Sequence, residues 1–293
     1  MRIAILSGKG GTGKTFVSVN LAYTAENATY IDCDVEEPNG RLFLKPTEPK
    51  TIPVHRKLPT FDDTTCIGCR ACVDFCHFNA LIFLRNKPKL FPEVCHSCGG
   101  CQIVCKQHAI TENARQVGVI EIGNSNDIRV VTGILNIGEA SAVPVIQSAL
   151  YHGLEQEKPN LNCTSIGDAI QPTVVIDCPP GSSCSVMESV AASDYCLLVV
   201  EPTAFGFHNF QMVHELVTLM NKPCGIVINK AYEAYAPLYD YCYAQQIPIL
   251  LEIPYESQLA ELSAKGEIVT QYHEQLANDF QTLLTRLRKE VCS

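Results

Sequence analysis

The chain has 293 residues, 46% of them apolar, and a formal charge of −9 at pH 7. That length allows one α/β domain plus an extra module with an ample core, and the acidic balance argues against nucleic acid as the main partner. No apolar run approaches the ~18 residues needed to cross a bilayer, and the first strand starts without a cationic leader, so a cytoplasmic location is expected.

The apolar residues 3–6 predict a buried strand that runs into Ser7-Gly8-Lys9-Gly10-Gly11-Thr12-Gly13-Lys14-Thr15. The spacing Gly8-x-x-x-x-Gly13-Lys14-Thr15 is a phosphate-binding loop between strand and helix. Glycines take left-handed conformations that turn backbone N–H groups inward around a di- or triphosphate. Lys14 adds a point charge on the β- and γ-phosphates, and the Thr15 hydroxyl supplies a Mg²⁺ ligand. A helix over about 15–26 points its positive end at the anion. ATP and Mg²⁺ are the implied ligands.

Lys9 narrows the loop further. The run Lys9-Gly10-Gly11-Thr12-Gly13-Lys14-Thr15 resembles the deviant P-loop of the MinD/ParA-like ATPases, which include the nitrogenase iron protein. The resemblance implies that Lys9 reaches across a dimer to the partner's nucleotide. It also implies a homodimer, or a heterodimer with a paralogous ATPase.

A second strand over 28–34 ends in Asp32 and Asp34 beside the loop, where a carboxylate can order the attacking water or a Mg²⁺-bound water. By the same resemblance Asp34 occupies the catalytic position of switch I, followed by Glu36, Glu37 and Asn39. From about residue 41, prolines at 46, 49, 53 and 59 break any helix and the apolar periodicity fades, which reads as an excursion from the sheet. Its root just after switch I predicts that residues 41–59 act as a linker that nucleotide repositions.

Sixteen cysteines in such a compartment point to metal rather than disulfides. Eight of them form two complete runs, Cys66-x2-Cys69-x2-Cys72-x3-Cys76 and Cys95-x2-Cys98-x2-Cys101-x3-Cys105. This is the bacterial ferredoxin spacing, in which three cysteines hold one [4Fe–4S] cube and the fourth crosses to the other. Cys66, Cys69, Cys72 and Cys105 are thus assigned to one cluster, and Cys95, Cys98, Cys101 and Cys76 to its neighbour. Zinc is the alternative, but it prefers four ligands in two pairs. His77 and Lys106 replace the proline usual after each fourth cysteine and can bring positive charge near sulfur. Residues 78–82 and 108–111 repeat the half-motif, which supports a pseudo-two-fold module.

The nucleotide fold resumes with strands near 117–122 and 128–134 and a helix over 141–153. Residues 173–176, followed by Asp177-Cys178-Pro179-Pro180-Gly181, read as Walker B joined to switch II. Asp177 would hold Mg²⁺ through water, and the Gly181 N–H would meet the γ-phosphate. Strands over 195–201, 224–229 and 247–253 alternate with helices over 207–220, 237–246 and 271–289. That alternation predicts a mostly parallel sheet with helices on both faces. Asn229, with Pro254 and Tyr255, resembles the family's adenine site, although an Asn in a strand-end turn also has purely conformational reasons.

Leu276, Phe280, Leu283, Leu284 and Leu287 suit a helix packed on the sheet, and the three cations beside them are too few to predict membrane binding. Cys184 follows Asp177 by seven residues, a spacing that resembles the iron protein's intersubunit-cluster cysteine. The companion loop reads Gly138-Glu139-Ala140 and lacks the second ligand.

These readings predict a MinD-like P-loop ATPase at 1–57 and 114–293 with an inserted α+β ferredoxin module at 58–113. The leading functional expectation is ATP turnover coupled to electron transfer toward a partner metalloprotein. The alternatives are an iron–sulfur or metal-cofactor assembly or carrier ATPase, and a MinD/ParA-type positioning ATPase whose clusters sense redox state.

Overall fold

The computed structural model describes residues 1–25, 27–139, 141–155 and 172–292. Glu26, the expected end of the first helix, and Ala140 of the companion loop lie outside the described residues. The strands are β1 (Arg2–Leu6), β2 (Thr29–Asp32), β3 (Thr47–Phe61), β4 (Leu81–Leu84), β5 (Lys87–Leu90) and β6 (Ile110–Ser125). They continue with β7 (Ile128–Leu135), β8 (Val174–Asp177), β9 (Tyr195–Val200), β10 (Cys224–Ala231) and β11 (Ile249–Pro254). Nine of them make one sheet in the order β11-β10-β9-β1-β8-β2-β7-β6-β3, parallel from β11 to β7.

The central strands are short apolar runs with every β9 residue buried, as expected for a sheet covered on both sides. The helices α1 (Lys14–Thr24), α2 (Gly40–Leu44), α3 (Ala71–Phe75), α4 (Gly100–Ile103) and α5 (Val143–Leu154) come first. Then follow α6 (Cys184–Ala191), α7 (Ala204–Leu219), α8 (Ala236–Ala244), α9 (Ser257–Ala264) and α10 (Glu274–Cys292). One face buries Ile146, Val186, Val213 and Leu238 from α5, α6, α7 and α8. The other buries Val17 and Leu21 of α1 against Phe280, Leu283 and Leu287 of α10. The apolar stripe of α10 is thus core, and among the described residues no helix is long and apolar enough to cross a membrane.

Residues 47–61 correct one expectation. They do not leave the sheet as a linker but form a fifteen-residue edge strand, β3, paired antiparallel with β6 from Thr47↔Asn124 to Phe61↔Ile110. β6 in turn runs antiparallel to β7. Proline is tolerated there because an edge strand can turn the missing N–H away from the ladder. The residue boundaries expected at 57/58 and 113/114 therefore fall inside paired strands rather than at a break.

Residues 62–109 fold at the far end of this ribbon, with α3, the β4–β5 hairpin, a 3₁₀ turn at Pro92–Val94 and α4. Cys72, Leu81 and Ile110 form a small core of their own, with Phe61, Leu90 and Val104 against it. The two half-motifs share their backbone irregularities: left-handed residues recur at equal offsets as Gly68 and Ser97, Arg70 and Gly99, and Asn79 and His108.

Candidate functional site: a phosphate-binding cleft and two cysteine cavities

Because the strands from β11 to β7 run parallel, the segments leaving β1, β2, β8, β9, β10 and β11 all emerge at one edge of the sheet, where open α/β sheets bind ligands. They enclose a cleft of about 1380 Å³ lined by Gly10, Gly11, Gly13, Lys14, Thr15, Asp34, Asn229 and Pro254. Gly13 has φ 92 and a Cβ there would collide with Asn229 Nδ2, so this position admits only glycine. Gly8 lies outside the cleft wall, its Cα packed against the Asn209 backbone.

Lys14 lies under the loop, its Nζ 2.6 Å from Asp177 Oδ1 and 3.3 Å from Asp34 Oδ2. Burial alone would lower the pKa of Lys14, but Asp177 and Asp34 outweigh it and hold the ammonium well above its ordinary range. Tyr30 donates its hydroxyl to Asp177 Oδ2 at 2.8 Å, and Asp32 accepts the N–H groups of Asp34 and Gly40. Burial pushes the Asp32 carboxyl well up, and the neighbouring Asp177 pushes it further. Burial also raises Asp34, with Lys14 pulling the other way. Three carboxylates thus share one ammonium, an excess of negative charge suited to a divalent cation.

Other predicted site residues are engaged within the protein. Lys9, read as reaching for a partner's nucleotide, pairs with Glu201 at 2.8 Å and lies over the Phe205 ring. The same Glu201 takes Lys230 at 2.6 Å. The Gly181 N–H donates to Ser7 O at 2.9 Å rather than facing the cleft. Asn229 Nδ2 donates to Thr12 O at 2.7 Å, which leaves its oxygen and one N–H for a base. Thr12 Oγ1 is buried with no hydrogen-bond partner, as a loop built around an anion would leave it.

Sequence reasoning placed Asp32 at the strand end beside the loop but missed Tyr30 and Glu201. The signal for Glu201 was available: it is an acid immediately after a fully apolar parallel strand. Tyr30 carried no such mark, because its role depends on β2 lying beside β8.

In the module, Cys66, Cys69, Cys72 and Cys105 line one small cavity and Cys76, Cys95, Cys98 and Cys101 line the other. The fourth cysteine of each run sits with the first three of the other. The Ser97 N–H points at Cys95 Sγ at 3.4 Å, a donor that favours a charged sulfur. Burial raises the Cys72 thiol and pushes Cys101 up to about 11. Among the described residues, no group of three or more His, Cys, Asp or Glu side chains is placed to hold a metal ion. Cys184 is exposed at the start of α6, while Glu139 of the companion loop is buried against Arg56 and Arg115.

The sequence profile of the CobQ/CobB/MinD/ParA nucleotide binding domain matches residues 3–269. The chain is 27% identical over 280 residues to protein MJ0579 of Methanocaldococcus jannaschii, covering 94% of this chain and 93% of that one. It is similar in structure to the cell division ATPase MinD of Pyrococcus furiosus, with TM-score 0.57, 18% identity and 98% of both chains covered. A septum site-determining protein MinD from Pyrococcus horikoshii, complexed with Mg-ADP, matches with TM-score 0.57 and 16% identity over 98% of this chain and 95% of that one.

Proposed function

The chain belongs to the CobQ/CobB/MinD/ParA nucleotide-binding family, and from that premise we propose an ATP-driven switch of the MinD/ParA type that carries two [4Fe–4S] clusters. The nucleotide half rests on the family and on Lys14 held between Asp177 and Asp34. An incoming polyphosphate competes with these carboxylates for the ammonium. With Lys14 on the phosphates, Thr15 and Asp177 would be the residues to hold Mg²⁺, which would supply charge neutralisation, and Asp34 would orient the attacking water. Asn229 and Pro254 would flank the adenine, and Lys9 would leave Glu201 for the nucleotide of a second subunit, a like copy or a paralogue.

The single observation that carries the cluster half is the exchange of Cys76 and Cys105 between the two cavities. Interleaved sets suit resident clusters, whereas cargo clusters need labile ligands, so the carrier reading is the weakest. The similarity to MinD proteins favours the positioning-type reading, with the clusters as redox sensor, over electron delivery to a metalloprotein. Electron transfer keeps one specific observation in its favour: Cys69 and Cys98 are exposed, which brings each cavity to the surface.

The test is iron content followed by ATP-dependent association. Anaerobically purified protein should hold about eight irons per chain, and light scattering should show a nucleotide-dependent dimer whose formation differs between oxidised and reduced protein. Zinc in place of iron would remove the cluster half. Identical association in both redox states, together with rapid reoxidation by a metalloprotein, would restore the electron-delivery reading.

A further inference from the structure

The two cysteine runs are alike in sequence but are anchored differently. Cys66 O, at the start of the first run, accepts from Lys87 Nζ at 2.6 Å, a residue of the module itself. Cys95 O, at the equivalent place in the second run, accepts from Arg56 Nη1 at 2.9 Å. Arg56 belongs to β3 of the large sheet, and its Nη2 also holds Pro92 O at 2.9 Å and Glu139 Oε2 at 3.0 Å.

Glu139 lies beyond the end of β7 and takes Arg115 at 2.7 Å with its other oxygen. Arg56 and Arg115 stand directly opposite each other across β3 and β6, where two like charges would repel without the carboxylate between them. The side chains of Arg56 and Glu139 are only 5% and 4% exposed. A buried pair of this kind is weak evidence for stability, since desolvation cancels much of its attraction.

The other end of this arrangement reaches the nucleotide cleft. Val35 follows Asp34 and lines the cleft; its carbonyl accepts the N–H of Leu135, the last residue of β7, at 2.9 Å. The Cα of Gly133 packs so closely on Val35 that a Cβ there would lie 2.6 Å from Val35 Cγ1. Ala142, which precedes α5, lines the cleft as well. Displacement of Val35 by a bound nucleotide therefore bears on the end of β7, and Glu139 lies four residues beyond Leu135.

We propose that the buried Glu139–Arg56 pair links the nucleotide cleft to the second cysteine set alone, so that nucleotide acts on Cys76, Cys95, Cys98 and Cys101 while the first set keeps its internal Lys87 anchor. The proposal builds on the cluster-carrying ATPase reading above. Its warrant is the Val35–Leu135 hydrogen bond, the short peptide segment from Leu135 to Glu139 and the hydrogen bonds of Arg56 to Glu139, Pro92 and Cys95.

Amide hydrogen exchange on the full chain as purified anaerobically, with and without a non-hydrolysable ATP analogue and Mg²⁺, gives the measurement. Nucleotide should change exchange over residues 93–98 by about fivefold or more, the low end of ordinary coupling, and leave residues 66–72 unchanged. Glu139→Gln removes the charge that orients Arg56, and Arg56→Lys removes the fork that spans Pro92, Cys95 and Glu139. Each should bind the analogue yet lose the response at 93–98. A wild-type protein with no response there, an equal response at 66–72, or a response that survives in either folded variant overturns the proposal. Redox titration of the same samples separates the two readings: iron-free protein defeats the cluster assignment but leaves the exchange result standing, whereas two clusters with no nucleotide response defeat the link.

Discussion

Lys14 and Lys9 are both loop lysines, yet their surroundings assign them different consequences. Lys14 is the only ammonium that the described hydrogen bonds and ion pairs place against Asp177 and Asp34. Lys14→Ala should abolish nucleotide binding and also destabilise the protein, by about 3–5 kcal/mol if it behaves like other broken buried pairs; isothermal titration and urea unfolding measure the two losses. Lys9 is held in cis by Glu201. Lys9→Ala should bind ATP but neither dimerise nor hydrolyse it, whereas Glu201→Ala should release Lys9 and lower the protein concentration at which ATP drives association. A Glu201→Ala protein that associates no more readily than its parent would mean that the pair imposes no restraint. Such long-range pairings within a chain are invisible in its sequence, because Lys9 and Glu201 are 192 positions apart and meet only once β1 lies beside β9.

At the scale of elements, the parallel strands were readable from their apolar runs, and the helices expected beside them agreed to within a few residues, whereas α2, α6 and α9 were not foreseen. β3 was not readable. Its prolines and alternating exposure look like a loop until β6 is laid against it, since an edge strand needs neither a full ladder nor two buried faces. Limited proteolysis should therefore fail to cut within residues 47–61 with or without nucleotide, and a nucleotide-dependent cut there would bring back the linker. The α7–α8 contact offers a pH test. His214 of α7 shares a 3.0 Å hydrogen bond with Tyr241 of α8, and burial lowers its pKa from 6.5, opposed by Glu215. The folded state then binds this proton less readily than the unfolded chain. The His214 contribution is full above pH 6.5 and is lost as pH falls through the lowered folded value. Urea midpoints measured from pH 7.5 down to 5 should decline, and His214→Gln should flatten that decline.

For the whole molecule, the glycine loop and the sorting of the eight cysteines into two cavities were the legible parts, because each is written in closely spaced residues. The anchoring of the module was not, because Arg56 and Glu139 come from segments with no motif of their own. The sheet order adds a distance to this picture. β1, which carries the phosphate loop, lies five strand steps from β3, which carries the module: β1 to β8, β2, β7, β6 and β3. At about 4.8 Å per step the two strands stand some 24 Å apart. The phosphate loop and the ribbon that carries the cysteine cavities are thus separated by most of the sheet's width. The dimer proposed through Lys9 would meet at the phosphate loop, and the β3 edge that carries the module lies five strands away from that contact.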